Sequence, residues 1–209
     1  MKQRQETTIP DIVVSRLPIY LRELTFMAQE GIAVTSSQEL ARRLRSGSAQ
    51  IRKDLSYFGG FGKQGTGYQV EFLCQKLREI LHLTRVWEIA LVGAGDLGRA
   101  LIHYGEFIEH GFRISLVFDN NPQKIGQRLG ELTIMSTEVM KDEVRRQGIK
   151  IGILAVPASA AQKVAEELVE AGVGAILNYA PVTLSLPAGV RVQYVDPVIH
   201  LQRMTFYLK

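Results

Sequence analysis

Residues 87–98 read WEIALVGAGDLG, and this stretch decides the fold that we predict for most of the chain. A run typical of a buried strand, residues 87–92, leads directly into G-x-G-x-x-G at Gly93, Gly95 and Gly98. In dinucleotide-binding βαβ units the first glycine allows a tight turn, the second admits a pyrophosphate, and the third permits close packing of helix on strand. A helix that runs to Gly111 is expected to follow, which is the context that the fingerprint requires.

A second strand, residues 114–118, ends at Asp119, which stands 21 positions after Gly98. That spacing is close to the ~20 residues expected for a carboxylate that binds the adenine ribose. Such a carboxylate accepts hydrogen bonds from both ribose hydroxyls and repels a 2′-phosphate, and Asn120 and Asn121 follow without an arginine. The pattern therefore favours NADH and NAD⁺ over their phosphorylated forms. A Rossmann domain that holds another adenine ligand, such as coenzyme A or S-adenosylmethionine, is the alternative.

The rest of the second part alternates strands with helices. Buried strands are predicted at residues 150–157, 174–179 and 190–195, with a helix over residues 158–171. This alternation predicts a doubly wound parallel sheet, whose ligands bind beyond the carboxyl ends of the strands. The residues expected to contact the cofactor are Gly93, Ala94, Gly95, Asp96, Leu97, Gly98, Asp119, Pro157, Asn178, Ala180 and Pro181.

Residues 1–85 instead predict three helices and a glycine-rich turn. The second of these helices begins at a Ser or Thr cap with Glu39 in its first turn, and Ser48 is expected to cap the third, residues 49–58. Two short helices joined by a tight turn form a helix-turn-helix, in which the second helix is the recognition helix. The helical pattern alone is a weak signal, because many such pairs never touch DNA.

Five glycines lie within residues 59–67, directly after the recognition helix, and Phe61 and Tyr68 flank the polar tip Lys63-Gln64. We interpret this segment as the β-hairpin wing of a winged helix, whose tip can enter the minor groove. A P-loop is excluded because no Gly-Lys-Ser/Thr ending is present. A flexible linker is the other alternative, and the two aromatic residues argue against it.

The formal net charge of +4 is unevenly distributed. Residues 1–85 contain 13 Lys and Arg against 8 Asp and Glu, a balance of +5, whereas residues 86–209 contain 12 against 13, a balance of −1. Such asymmetry is typical of chains whose basic part meets nucleic acid, although a solvated basic surface would give the same numbers.

Composition and residue types limit the remaining classes of protein. With 209 residues, 46% of them apolar, the chain reads as globular, and a dehydrogenase with a full substrate domain would be cramped. The polar start and the lack of a long apolar run predict a cytoplasmic protein without membrane contact. The single cysteine, Cys74, fits a reducing compartment, and we see no metal-ligand cluster. None of the four histidines sits at a predicted strand end beside a carboxylate, so we do not expect an enzyme.

Residues 196–209 predict a last helix that Asp196 caps and that Pro197 begins. Apolar residues cover most of its circumference, which indicates a buried helix. At the end of the chain, this pattern suggests docking into a partner subunit by an exchange of the helix. Packing against its own chain is the alternative.

This architecture resembles the Rex family of redox-sensing transcriptional repressors over essentially the whole chain. The resemblance rests on residues 48–59, 61–62, 65–68, 92–98, 118–119, 176–181 and 195–196. It implies a homodimer that binds operator DNA through paired winged helices and releases it when NADH binds, while NAD⁺ competes without driving release. The domains would be a winged helix at 1–85, a Rossmann NAD(H)-binding domain at 86–195 and an exchanged dimerisation helix at 196–209.

The resemblance and the polar face of the third helix together assign candidate residues to DNA and to the switch. The expected DNA contacts are Ser48, Gln50, Arg52, Lys53, Ser56, Lys63 and Gln64. Tyr104 is expected near the nicotinamide, and Arg22 and Asp196 are expected to form a salt bridge between the domains in one state. A small NAD-dependent oxidoreductase and a coenzyme A-binding module are the alternative functions.

Overall fold

The structure is a computed structural model that describes residues 9–61 and 67–208. The chain divides into two compact units between Thr84 and Arg85. Each unit has its own hydrophobic core, and the two are described separately.

The first unit is mainly helical. It contains α1 (Asp11–Val14), α2 (Leu17–Gln29), β1 (Val34–Thr35), α3 (Ser37–Leu44), α4 (Ser48–Ser56), β2 (Tyr68–Gln69) and α5 (Val70–Ile80). Its core is formed by fully buried side chains from the helices, among them Leu17, Leu24, Met27, Leu40, Ile51, Leu73 and Leu77. This finding establishes a helical N-terminal region, as the sequence indicated.

The helix starts follow local capping chemistry. Pro18 lies in the first turn of α2, where its missing N–H removes no helical hydrogen bond, and a break separates α2 from α1. The side chain of Ser36 caps α3 by accepting a hydrogen bond from the Glu39 amide at 3.1 Å. The predicted cap of α4 was wrong by one residue. Gly47 is the N-cap, because its backbone is extended and its carbonyl oxygen accepts from the Ile51 amide at 3.2 Å.

A two-stranded antiparallel sheet joins the two ends of the segment that contains α3 and α4. Thr35 pairs with Tyr68 and Val34 pairs with Gln69, so the strand before α3 lies beside the strand after α4. Helix α5 starts directly after β2, and its first amide, on Val70, donates to the Ala33 carbonyl at 2.9 Å. We predicted a wing between α4 and β2, with Lys63 and Gln64 at its tip. Most of this segment, residues 62–66, lies outside the described residues.

The second unit is built on a seven-stranded sheet. Its strands are β3 (Trp87–Val92), β4 (Phe112–Asp119), β5 (Arg128–Leu129), β6 (Leu132–Ser136), β7 (Ile151–Leu154), β8 (Ala175–Asn178) and β9 (Arg191–Tyr194). Their order is β5-β6-β4-β3-β7-β8-β9, and every pair is parallel except β5 with β6. The mostly parallel Rossmann-like sheet is therefore confirmed.

The connections place a topological switch point beside β3. The chain first builds β4 and β6 on one side of β3, then crosses to β7, β8 and β9 on the other. In open α/β sheets ligands bind outside the carboxyl ends of the strands at such a point. The residues after β3, β4 and β7 are therefore the ones that this sheet brings to a binding crevice.

The helices of this unit are α6 (Asp96–Ile102), α7 (Glu106–Glu109), α8 (Met140–Gln147), α9 (Ala158–Glu170) and α10 (Pro197–Thr205), with a 3₁₀ turn at Thr137–Val139. The single helix predicted to run to Gly111 was wrong, since α6 and α7 are separate. The Tyr104 amide bonds the Leu101 carbonyl three residues back, which tightens the last turn of α6, and Gly105 then precedes α7.

Helix α10 begins as predicted. The Asp196 carboxylate accepts a hydrogen bond from the Val198 amide at 2.9 Å, and Pro197 is the first helical residue. None of the described residues of α10 is buried in the chain. Large apolar side chains on α10 and just after it are 57–83% exposed, namely Val198, Ile199, Leu201, Met204, Phe206, Tyr207 and Leu208. Within the described ranges, no helix is both long and apolar enough to cross a membrane.

Candidate functional site

The glycine fingerprint forms the turn between β3 and α6. Gly93 has a φ of +103°, and a side chain there would run into the Ala155 carbonyl at the end of β7. A Cβ on Gly98 would strike the Gly93 carbonyl, so only glycine lets α6 lie this close to the turn. Gly95, the N-cap of α6, has open space in front of it. The turn therefore has the close packing at two glycines and the open approach at the third that the motif predicts.

Asp119 joins the end of β4 to this turn. The residue is 6% exposed. Its Oδ2 accepts from the Ala94 amide at 2.8 Å, and its Oδ1 accepts from the Asn121 amide at 2.9 Å. Lys124 Nζ lies 3.0 Å from Oδ2. Burial acts to raise the pKa of this carboxyl, but the two amides and the ammonium group outweigh it and hold the pKa below its usual value. Asp119 is thus an ionised acceptor at the edge of the glycine turn.

A cavity of about 870 Å³ opens beside these two features. It is lined by residues that follow β3, β4, β6 and β7, by the first turn of α6 and by one side of α9 as far as Glu167. The predicted cofactor residues that line it are Gly93, Gly95, Asp96, Leu97, Asp119 and Pro157. The cavity is large enough for a dinucleotide-sized ligand. Among the described residues, no group of three His, Cys, Asp or Glu side chains is placed to hold a metal ion.

The other predicted cofactor residues lie behind or beside this cavity. Ala94 is buried and presents its amide to Asp119, and Gly98 is buried on the side of α6 that packs against the glycine turn. Asn178 is 1% exposed, and its amide is fully engaged by the turn after β8. Its Nδ2 donates to the carbonyls of Ala180 and Val182 at 3.1 and 3.0 Å, while Oδ1 accepts from the Ala180 amide at 2.9 Å. Asn178 shapes this turn, and the contact of Asn178, Ala180 and Pro181 with a cofactor stays a prediction.

Four charged side chains of the cavity belong to no motif that the sequence analysis used. Lys124 and Lys163 bring positive charge to the walls, and Glu138 and Glu167 bring negative charge. Lys124 stands five residues after Asp119, inside a turn that the strand pattern does not describe. The only sequence signal for Lys124 as a cavity residue is its closeness to Asp119 in the chain.

The exposed face of α4 carries the residues predicted to meet DNA. Gln50, Arg52, Lys53 and Ser56 are exposed, and Ser48 is half-buried at the first position of the helix. Arg52 Nη1 donates to the Ser37 hydroxyl on α3 at 3.0 Å, which leaves its remaining N–H groups available. This face is typical of a recognition helix, since its polar types suit both base edges and phosphates.

Behind α4 lies a buried charge cluster that the sequence analysis did not identify. Asp54 on α4 is fully buried and accepts hydrogen bonds from Arg16, Tyr20 and Gln50 at 2.6–2.8 Å. Its partners on α2 and just before it are more than 30 positions away in the chain. This cluster fixes α4 against the start of α2.

The three predicted switch residues belong to different units, Arg22 to the first and Tyr104 and Asp196 to the second. Arg22 is exposed on α2 of the first unit, whereas Asp196 caps α10 of the second. Tyr104, after α6, is 55% exposed, and its ring packs edge-on against Phe107 with a centroid distance of 5.4 Å. The salt bridge between Arg22 and Asp196 stays a prediction.

Two protein-family models match parts of the chain. One, described as the N-terminus of a putative DNA-binding protein, matches residues 8–56, and one described as a CoA binding domain matches residues 84–182. The first match lies within the helical unit, and the second begins at the division between the helical unit and the sheet unit.

Curated relatives match nearly the whole chain. It is 52% identical over 199 residues to the redox-sensing transcriptional repressor Rex of Roseiflexus sp., covering 95% of this chain and 90% of the relative. It is 44% identical over 200 residues to the Rex repressor of Brevibacillus brevis, covering 96% and 97% of the two chains. These names agree with the prediction that the chain is a transcription regulator and not an enzyme.

Solved structures give the same result. The Rex-family repressor RSP in complex with β-NAD⁺ and operator DNA is 37% identical, with a TM-score of 0.92 over 97% of this chain and 93% of that one. The same repressor in complex with β-NADH is 35% identical, with a TM-score of 0.88 over 97% and 95%. Both the sequence identity and the whole-chain agreement of the fold lead to one conclusion: the chain belongs to the Rex family of redox-sensing transcriptional repressors.

Proposed function

We propose that the protein represses transcription by binding operator DNA through its N-terminal unit and is released when NADH occupies the cavity of its sheet unit. In this proposal α4 is the recognition helix of a winged helix-turn-helix, and Lys63 and Gln64 form the wing tip. NAD⁺ competes for the same cavity without driving release. The protein thereby responds to the ratio of NADH to NAD⁺ in the cytoplasm.

One observation carries the proposal: a single chain combines an exposed basic helix face with a dinucleotide-sized cavity. Arg52 and Lys53 give α4 the charge that phosphates attract. At the cavity, the glycine turn offers open backbone beside the ionised Asp119. An ionised carboxylate at this position accepts hydrogen bonds from ribose hydroxyls and repels a 2′-phosphate, which supports NADH and NAD⁺ as ligands.

The preference for NADH follows from the charge of the nicotinamide. The ring is neutral in NADH and cationic in NAD⁺, and burying a cation without a partner costs far more than burying a neutral ring. We place the ring near Tyr104 and the Asn178–Pro181 turn, where Ala180 and Pro181 offer apolar contact. A ligand shifts an equilibrium only if it binds one state more tightly, so NADH must favour the state that cannot bind DNA.

We also propose that the protein is a homodimer assembled through residues 196–209. The apolar side chains of α10 and of the residues after it are exposed in the single chain, which supports a partner surface for them. In a symmetric dimer the same helix is supplied by both subunits, and exchange of α10 would place each helix against the other sheet unit. Two recognition helices would then meet half-sites that are one or more DNA turns apart.

Titration of labelled DNA tests the proposal directly. Duplexes selected from a random-sequence library by the full-length protein at low salt supply the probe. We expect NADH to release the bound duplex and NAD⁺ to leave it bound, and we expect affinity to fall steeply as salt rises. The proposal fails if no duplex is selected at low salt, or if NADH and NAD⁺ have the same effect. The Arg22–Asp196 pair is tested in the same assay, because Asp196→Ala should alter release by NADH.

A coenzyme A-binding module is the second candidate, and the family model that matches residues 84–182 favours it. The two candidates differ in ligand. Competition with coenzyme A against NADH, followed through the fluorescence of bound NADH, separates them. We expect NADH to bind and coenzyme A to leave that signal unchanged, and displacement of NADH by coenzyme A would favour the second candidate.

A further inference from the structure

Gln50 has an exposed side chain whose amide is nevertheless held in place. It is the third residue of α4, near the end of the recognition helix that meets base edges. Its Nε2 donates to Asp54 Oδ1 at 2.8 Å, one helical turn further along. Because Asp54 is buried, this hydrogen bond ties an exposed side chain to the interior of the unit.

The carboxylate of Asp54 receives a donor at every accessible position. Oδ1 accepts from Arg16 Nη2 and Gln50 Nε2, both at 2.8 Å. Oδ2 accepts from Arg16 Nε at 2.6 Å and from the Tyr20 hydroxyl at 2.7 Å. Burial acts to raise the pKa of Asp54, but the hydrogen bonds from Arg16, Tyr20 and Gln50 outweigh it and lower that pKa. Asp54 is therefore ionised at neutral pH and can only accept hydrogen bonds.

An acceptor-only partner determines which way the Gln50 amide is turned. If the amide were flipped, Oε1 would face the carboxylate oxygen, and two acceptors would meet without a hydrogen between them. The Nε2 group must therefore point at Asp54. One of its two hydrogens is used there, and Oε1 and the second hydrogen stay available to a partner outside the protein.

The available pair, one acceptor and one donor, matches a single base in the major groove. Adenine presents the N6 amino donor beside the N7 acceptor, which an amide can contact at both points. Guanine presents two acceptors at N7 and O6 and so repels Oε1. Cytosine offers only a donor and thymine only an acceptor.

We propose that Gln50 selects adenine at one position of each operator half-site, and that Asp54 is the positioning residue that sets the orientation of the Gln50 amide. The proposal rests on the proposed function, since it requires α4 to enter the major groove. It assigns base specificity to the Gln50–Asp54 pair, and it leaves Arg52 and Lys53 free to contact phosphates or guanines.

The first test measures base preference position by position. The full-length protein is titrated with a selected duplex and with its single base-pair substitutions at fixed salt. We expect Gln50→Ala to lose about tenfold or more in preference for adenine over guanine at one position per half-site, with the other positions unchanged. Gln75→Ala is the matched control, because Gln75 also donates to a carboxylate four residues on, Glu79, but on α5. The Gln75→Ala variant should retain the wild-type base preference at every position.

The second test changes the pattern of donors and acceptors. Gln50→Glu replaces the amide with a group that cannot donate to Asp54 and only accepts, which suits the amino group of cytosine. We expect its preference at that position to move from adenine toward cytosine. Asp54→Asn tests the positioning role: if the variant keeps its helical circular dichroism, it should bind with weaker discrimination at that same position. If Asp54→Asn does not fold, the Gln50→Glu result still tests whether residue 50 selects the base at that position.

The outcomes separate this inference from the proposed function. If the wild-type protein binds no duplex, the proposed function fails. If it binds DNA and NADH releases it, yet Gln50→Ala and Gln50→Glu keep the wild-type preference at every position, the inference about Gln50 is overturned while the function stands.

Discussion

The carboxylate of Asp119 accepts a hydrogen bond from the backbone amide of Ala94, so the end of β4 is fastened to the glycine turn that follows β3. The bond joins residues 25 positions apart, at the carboxyl ends of the neighbouring strands β3 and β4. It couples the two parts of the cavity that a dinucleotide needs, the open glycine backbone and the acidic acceptor. A ligand that bonds Asp119 is thereby held beside the turn.

Replacing Asp119 should weaken the binding of NADH and reduce the discrimination against NADPH. Asp119→Asn keeps the shape of the side chain and removes the charge, and hydrogen bonds to charged groups contribute about 1.5–3 kcal/mol. We therefore expect NADH affinity, measured by titration of its fluorescence, to fall at least tenfold, and the ratio of NADPH to NADH affinity to rise. Asp142→Asn is the control, since the Asp142 side chain on α8 is 88% exposed. Unchanged affinity in the Asp119 variant would contradict the role assigned to this carboxylate.

Gly98→Ala should destabilise the sheet unit. The added Cβ would strike the Gly93 carbonyl, so α6 must shift away from the turn. Overpacking of this kind typically costs about 1–3 kcal/mol in the free energy of unfolding, which denaturant titration measures. Gly105→Ala provides a matched control, because Gly105 has a helical backbone and open space around its Cβ position. Equal stability of the two variants would show that the turn can move without penalty.

The Tyr20 hydroxyl should lose its proton at a higher pH than an ordinary tyrosine, and this should make the stability of the first unit sensitive to alkali. Burial, together with the hydrogen bond to the Asp54 carboxylate, raises the pKa of Tyr20 to about 12. The unfolded chain loses this proton near pH 10, so the contribution to stability is complete below about pH 10 and is lost as pH rises toward 12. We expect one tyrosinate absorbance step at about pH 12 that Tyr20→Phe removes. A Tyr20→Phe variant with the same alkaline titration as the wild type would contradict this assignment.

Charges introduced on α10 should dissociate the proposed dimer. Leu201 and Met204 are each about 60% exposed and stand three residues apart, so they share one face of the helix. Leu201→Glu combined with Met204→Glu is expected to give a monomer by sedimentation equilibrium and to lower operator affinity. Gln202→Glu adds a charge to the same helix at an exposed polar position and should leave the dimer intact. A double variant that remains dimeric would place the interface elsewhere.

The sequence predicted the parts of the site that depend on neighbours in the chain. The glycine fingerprint, Asp119 and the Asp196 cap each follow from spacing within one strand, turn or helix, and their local geometry is recognisable from residue types. The Asp54 cluster could not be found in this way. Arg16 and Tyr20 reach it across more than 30 positions, and only the packing of α2 on α4 brings them together.

Smaller differences have equally local causes. Ser48 has the chemistry of a cap, but the extended backbone of Gly47 and its hydrogen bond to Ile51 start α4 one residue earlier. Asn178 was predicted to face a cofactor because it ends a strand. Its amide satisfies three backbone groups of the following turn, a use that the residue type alone does not distinguish from ligand binding, and its contact with a cofactor stays a prediction.

The separate cores of the two units have a consequence for heat denaturation. The apolar cluster of the first unit is drawn from residues 17–81, and those of the second unit from residues 89–192. The protein should therefore melt in two calorimetric transitions rather than one. NADH raises the midpoint of the sheet-unit transition by mass action, as any ligand of the native state does. If NADH also moves the midpoint of the first unit's transition, that shift measures the coupling free energy between the two sites in a sample that contains no DNA.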